Sequence, residues 1–507
     1  MGSERELKKL LSSASLVFVG AGVAAVAKLA ERIVLGRSFS PDIYGEINIA
    51  ITTMALGTTF ALIGLGQGIP RYVSRFETER DMRGAWLTGF LLAGIVSVLF
   101  AGILYFNADF VASKLFDHGG ASNLIPVFAF AIPPVVGYLV GIGGIRGFQN
   151  TIYKTYVGDL LYPFGRLLLL GTLLALGFGA KAAGYAYLVS AVIAFLVAHY
   201  LLNKLIPLFG EFTLHVKEIT TFSAPLVVSS VLGDLLTRTD TVMLGYFSTS
   251  HQVGLYSAAY PLANSLLIAL SSFGFLYLPL ASKLDADGER DEITKIYQLT
   301  TKWVFLVTFP AFLLFVTFPS DVISIFFGTD YASGGLALAI LSVGFFTNAA
   351  GGRNRETLSA LGHTRLILAG NAIAFALNFV MNLILIPIYG FVGAAVASST
   401  SNIILNLFMF SVLWWKFGIT PFSRWTVRTM TRVPLALIPV TVIASRFVSL
   451  SIVLLPVALV LAAVGTLVVF SSTNCVQPED GVIIDFIEGI TNTKMSFLHG
   501  YIPEGTE

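Results

Sequence analysis

Two clusters of ionisable residues stand inside otherwise apolar stretches of this 507-residue sequence: Lys28, Glu31 and Arg32, and then Asp234, Arg238 and Asp240. Lys28 and Glu31 are spaced i,i+3, while Lys28 and Arg32, like Asp234 and Arg238, are spaced i,i+4, so each set shares one face of a helix. A second tier follows in Asp159 with Arg166, two turns apart, and in Arg353, Arg355 and Glu356 beside Gly351-Gly352. Guanidinium groups stay charged and fork onto phosphate oxygens. Arg32, Arg238, Arg353 and Arg355, with Lys28, therefore suit a site for an anionic, phosphate-bearing ligand. Glu31, Asp159, Asp234, Asp240 and Glu356 would balance the empty site or exchange an ion. The other reading is that these groups form neutral pairs locking helices together, with Glu31 and Asp240 as cap or interface residues, Arg166 as a structural cation, and Arg71 snorkelling at an inner helix end.

The elements that must position them are membrane helices. Hydrophobic residues make up 55% of the sequence and charged residues 12%, with a mean hydropathy of +0.81. A soluble domain carries about 25% charge. The 48 Gly and 41 Phe fit helices packed closely in lipid. The single cysteine, Cys475, excludes an intramolecular disulfide and a cysteine-based metal site. The basic start MGSERELKKLLSSASLVF runs on, apolar, to about Leu35, which predicts an uncleaved first helix rather than a signal peptide.

With about 20 apolar residues needed per span, the sequence predicts an all-α polytopic protein of about 14 transmembrane helices. Twelve lie near 10–36, 44–70, 84–106, 123–147, 155–178, 182–204, 220–247, 254–281, 299–319, 333–361, 366–387 and 391–416. A closing pair lies near 433–447 and 449–470. Arg71, Arg75, Arg80 and Arg83 follow the second helix, Lys283, Arg290 and Lys295 the eighth, and Lys416, Arg424, Arg428 and Arg432 the twelfth. This asymmetry places both termini in the cytoplasm. The outer loops 107–122 and 320–331 each read as a short amphipathic turn at the interface.

The first twelve helices are written twice. ERIVLGRSFSPDIYGEINIA at 31–50 returns as DTVMLGYFSTSHQVGLYSAA at 240–259, about 209 residues on, pairing Glu31 with Asp240, Gly36 with Gly245, Gly45 with Gly254 and Ala50 with Ala259. Six helices per copy make the repeat parallel, with a pseudo-two-fold along the membrane normal and a candidate site in the cleft between halves. The resulting organisation is an N-lobe at 1–205, a cytoplasmic linker at 206–218, a C-lobe at 219–417, helices 13 and 14 within 418–470, and a cytoplasmic tail at 471–507 whose DGVIIDFIEGI stretch reads either as an interfacial helix or as disorder.

An ordered set of segments then carries a resemblance: LGRSFSPDIYGEINIA, GLGQGIPRYVS, IRGFQNTIYKTY, LTRTDTVMLGYFSTSHQVGLYSAAYPLA, FFGTDYASGGLALAILSVGFF, GGRNRETLSALGHTR and GFVGAAVASSTSN, spread over roughly residues 5–420. With them the sequence resembles the multidrug/oligosaccharidyl-lipid/polysaccharide exporter superfamily, and within it the polysaccharide-biosynthesis flippase branch. The resemblance implies two MATE-like lobes and turnover, by alternating access, of a polyprenyl- or dolichyl-(pyro)phosphate glycan from the inner to the outer leaflet of the cell membrane. Membrane lipid surrounds such a protein, and a glycan polymerase or ligase is a candidate partner; ion coupling to H+ or Na+, the membrane potential and a passive glycan gradient stay open as energy sources.

Two other functions stay open at this point. A drug or cation antiporter of the same superfamily would have twelve helices and an acidic ion site. A membrane-embedded glycosyltransferase or ligase would need larger extramembrane loops. The six histidines form no metal constellation, and there is no P-loop or GxSxG motif. The reading is of a non-enzymatic transporter with no cofactor, no metal and no nucleic-acid partner. Asn371, Asn378 and Asn382 on one side of the eleventh helix read as interhelical hydrogen-bonding residues.

Overall fold

The structure, a computed structural model, describes residues 20, 22–62, 64–116 and 124–481, with side chains left undescribed at 225–230, 236 and 272–276. The start of the first expected helix, residues 117–123 and nearly all of the DGVIIDFIEGI stretch lie outside the described residues. Among those described, every regular element is helical.

In chain order the elements are α1 (22–38), α2 (Pro41–Leu62), α3 (Leu65–Arg75), α4 (Glu79–Phe106), α5 (Ala108–Leu115), α6 (Leu124–Gly147), α7 (Thr151–Lys154) and α8 (Tyr162–Ala175). They continue with α9 (Lys181–Leu205), α10 (Val216–Phe247), α11 (Ser250–Ser265), α12 (Leu267–Ala286), α13 (Arg290–Thr317), α14 (Pro319–Phe327), α15 (Gly335–Gly351) and α16 (Asn354–Ala360). The last three are α17 (Thr364–Phe417), α18 (Arg424–Ala444) and α19 (Leu454–Ser472). Ten helical runs among the described residues are long and apolar enough to cross a membrane.

Several expected spans are interrupted, each for a local reason. The second is cut at Gly64, which takes a left-handed φ of 70°. The fifth passes from α7 to α8 through a π-helical turn, Thr155–Leu161. Pro163 follows that turn, and its nitrogen has no proton to give the carbonyl of Asp159, so the helix widens there. The tenth is cut between α15 and α16 at Gly352, φ 68°. The eleventh and twelfth expected helices lie within α17 and are parted, where the sequence places their boundary, by non-helical backbone at Gly390, φ 57°. Several starts shift: the helix expected from 84 begins at Glu79, the one from 254 at Ser250, the one from 299 at Arg290, and the one from 433 at Arg424, capped by Ser423. The expected outer turns are α5 and α14.

Compactness divides the chain into two units. The first comprises Met1–Ala258 with Phe379–Ala394, and the second Ala259–Asn378 with Ala395–Glu507. In the first unit a stripe of small residues on α6 lets α9 close on it, with Gly137 under Phe195, Gly141 under Ala198 and Gly144 under Leu202. The segment 206–215 is pinned to the start of α4. Arg83 there is buried and donates from Nε to the Pro207 carbonyl at 2.6 Å and from Nη1 to the Glu211 carbonyl.

In the second unit α13 is the central post. Phe305, Phe309 and Leu313 pack with Val433 of α18 and Ala462 of α19. Beyond α19 the chain folds back onto α13. Asp480 accepts from Lys302 Nζ at 2.6 Å and Trp303 Nε1 at 2.8 Å, with Lys302 and Asp480 both fully buried.

Candidate functional site

Helix α1 carries the first predicted cluster, and the structure joins it to the fifth expected span. Glu31 is 2% exposed and meets Arg166 of α8 twice, at 2.5 Å from Nη2 and 2.7 Å from Nε. The Arg166 guanidinium also lies 4.2 Å from the ring centre of Tyr187 on α9 and 5.0 Å from that of Tyr162. Aromatic faces of this kind favour a desolvated cation. In the π-helical turn, Asp159 pairs with Lys154 at 2.6 Å. Gly20, just before α1, packs against Thr155 and Asp159 of that turn, too tightly for a Cβ.

These pairings use up both carboxylates of the cluster. Lys28 is exposed and lies within electrostatic reach of Arg166, Asp159, Glu31 and Lys154. Arg32 is half-buried, and its Nη1 donates to the side-chain oxygen of Asn48 on α2, a neutral amide. Neither Lys28 nor Arg32 has a carboxylate in ion-pair contact among the described residues. The first unit thus gathers Lys28, Glu31, Arg32, Asp159 and Arg166 into one group with an excess of positive charge.

The second cluster, on α10, is arranged differently. Asp234 accepts a hydrogen bond from Thr59 of α2. Asp240 is buried, accepts from the Tyr256 hydroxyl, and accepts at 2.6 Å from Asn382 Nδ2. Arg238 is half-buried, and its Nε is enclosed without a hydrogen-bond partner among the described residues. Repeat equivalence therefore places Glu31 and Asp240 in the same kind of position but gives them unlike partners, a guanidinium for one and a hydroxyl with an amide for the other.

Arg353, Arg355 and Glu356 belong to the second unit. Arg353 is 3% exposed and pairs with Glu356 at 3.1 Å, while its Nε and Nη2 are enclosed without partners among the described residues. Arg355 is exposed. A groove of about 950 Å³ between α4, α6 and α9 is walled by groups such as Phe90, Phe130, Pro133 and Phe195 and carries no charged side chain, so it offers nothing to an anion.

Sequence reasoning missed Lys154, Tyr162, Tyr187, Tyr256 and above all Asn48. The signal for Asn48 was available, since it is an amide in the middle of the apolar run INIAIT and lies inside a segment that carries the resemblance.

A family described as "Polysaccharide biosynthesis protein" has a model that matches residues 34–334. The chain belongs to this family. The matched stretch runs from within α1 to the residue before α15. Among curated relatives, the probable low-salt glycan biosynthesis flippase Agl15 of Haloferax volcanii is 25% identical over 36% of this chain and 39% of its own length, so the chain spans about two fifths of that relative. The solved structure of the lipid II flippase MurJ in an inward closed conformation superposes with a TM-score of 0.74 at 13% identity, over 90% of this chain and 98% of that one. An inward-facing MATE-family multidrug transporter of the MOP superfamily gives 0.67 at 16% identity, over 78% and 94%. This polysaccharide biosynthesis protein is a multi-pass membrane protein whose fold is like those of MurJ and of the MATE-family structure.

Proposed function

We propose that this polysaccharide biosynthesis protein is a flippase. It turns a lipid-linked glycan, held on a polyprenyl or dolichyl phosphate or pyrophosphate, from the inner to the outer leaflet by alternating access. The family, the flippase relative and the MurJ-like fold support this reading. The observation that carries it is the charge balance on α1. Glu31 and Asp159 are taken by Arg166 and Lys154, which leaves Lys28 and Arg32 as cations free to meet a phosphate.

Arg238, Arg353 and Arg355 join Arg32 and Lys28 as candidate contacts for phosphate or glycan. Glu31 and Asp159 act in charge balance. Asp234, Asp240 and Glu356 are the candidates for balancing charge or for coupling to H+ or Na+. The protein works in the cell membrane with about 14 spans, both termini in the cytoplasm and the lobes 1–205 and 219–417 joined by the linker 206–218, with helices 13 and 14 within 418–470 and the tail from 471. A polymerase or ligase receives the glycan outside.

The competing reading, export of cationic drugs, has the MATE fold in its favour. It conflicts with an uncompensated pair of cations, which repels a cationic substrate. Proteoliposomes holding the purified protein separate the two. Turnover of a radiolabelled lipid-linked oligosaccharide with no ethidium transport is expected. Ethidium transport with no turnover overturns the proposal.

A further inference from the structure

We infer that Asn48 is a positioning residue that holds Arg32 by a dipole instead of a charge, so that the guanidinium is fixed in direction yet keeps its full positive charge for a phosphate. The inference rests on the flippase reading above and adds a residue to it. Asn48 is 4% exposed in α2, and its Nδ2 donates to the Tyr44 carbonyl one turn earlier at 2.7 Å. That bond sets the amide's orientation: the NH2 end is committed to the backbone, and the oxygen end must face the other way, where Arg32 Nη1 meets it. A guanidinium has five N–H donors. Asn48 takes one and the Tyr44 hydroxyl also meets the guanidinium, which still leaves donors for a forked contact.

The immediate neighbour of Arg32 in sequence is a carboxylate, but successive residues of a helix do not face each other. Here Glu31 is turned instead toward Arg166 and is held there by two short bonds. Its other oxygen, Oε1, is enclosed with no partner among the described residues and makes no bond to Arg32. The arrangement is also confined to one half of the repeat. The positions equivalent to Arg32 and Asn48 are Thr241 and Ser257, a pair with no cation in it. A carboxylate at position 48 would grip Arg32 more firmly, since hydrogen bonds between charged groups are roughly twice as strong as neutral ones. It would also cancel the charge that an anion needs.

The test compares binding of geranylgeranyl pyrophosphate with binding of geranylgeraniol, both in detergent micelles, to the purified full-length protein. The readout is the ratio of the two affinities on folded protein, which a purely structural role for Asn48 would leave unchanged. Wild type is expected to prefer the pyrophosphate, and Arg32→Ala to lose that preference. Asn48→Asp is expected to lower the preference about tenfold or more while keeping or raising the melting temperature. Asn48→Ala, which frees Arg32 without neutralising it, is expected to lower it by about threefold. Should Asn48→Asp not fold, Asn48→Ala decides alone. A preference unchanged from wild type in either folded variant, with Arg32→Ala still losing it, overturns the role of Asn48 and leaves the flippase reading standing. No preference in wild type overturns both.

Discussion

Gly45 at the start of α2 and Gly254 at the start of α11 are equivalent positions of the repeat, and they meet backbone to backbone. A Cβ on Gly45 would overlap the Ser250 carbonyl, and one on Gly254 the Pro41 carbonyl. Around them Asp42 and His251, 209 residues apart, pair at 3.2 Å, and Gln252 accepts from the Phe391 backbone N–H at 3.0 Å beside the Gly390 break. The two copies of one motif thus cross on each other.

Gly45→Ala and Gly254→Ala should each destabilise this crossing. The obstacle is backbone, which cannot rotate away as a side chain can. Overpacking of this kind costs about 1–3 kcal/mol. The melting temperature in detergent should fall for both variants and glycan export should fall with it. The exposed Asp42–His251 pair should matter far less, because half-exposed ion pairs contribute about 0–1 kcal/mol. Asp42→Asn with an effect equal to Gly45→Ala would contradict this ranking.

The Glu31–Arg166 pair predicts a pattern of single and double variants. Removing one partner leaves a buried charge alone and costs about 3–5 kcal/mol. Glu31→Gln and Arg166→Met should each lower expression and thermal stability sharply. Together they should recover much of the loss, since no lone charge remains. Additive losses in the double variant would mean that the two residues act separately.

Much of this was legible in the sequence, and the limits have physical causes. Hydropathy located most of the helices, and the repeat gave the equivalence of Glu31 with Asp240, because both signals are local or periodic. The partners were not legible. Glu31 and Arg166 are 135 positions apart, and Asp240 and Asn382 are 142 apart. Spacing on one helix pointed to Lys28 and Arg32 as the neighbours of Glu31, but a guanidinium stacked on Tyr187 and Tyr162 from other helices won the contact. Helix breaks at Gly64, Gly352 and Gly390 depend on backbone dihedrals that a hydropathy window averages away.

The fold-back after α19 makes a prediction of its own. Cys475, the one cysteine of the sequence, is buried beside the Lys302–Asp480 pair. N-ethylmaleimide should label it slowly in the folded protein. Asp480→Asn leaves Lys302 buried and unpaired, so labelling should accelerate at least about tenfold and the melting temperature should fall. Equal labelling rates would show that the pair does not hold this segment.

Pinning of the linker is tested at Arg83. Its side chain is buried, and it serves the carbonyls of Pro207 and Glu211, so Arg83→Ala strands two acceptors. A loss of about 1–3 kcal/mol is expected, with faster proteolysis within 206–215. Arg83→Lys should restore little, since one ammonium cannot reproduce the forked contact. Full rescue by lysine would show that charge alone is what matters there.

Arg32 is proposed to anchor the phosphate of a lipid-linked glycan during its passage across the bilayer. The direct measurement is the rate at which a polyprenyl-pyrophosphate glycan becomes accessible to an external lectin in proteoliposomes holding wild type, Arg32→Ala, Arg32→Lys, or Arg32→Ala with Arg238→Ala, at matched protein content. Wild type should turn the glycan over. Arg32→Lys should retain part of the rate, keeping the charge but losing the bidentate fork. The two alanine variants should fall to the protein-free background. Wild-type rates in the double variant would contradict the account.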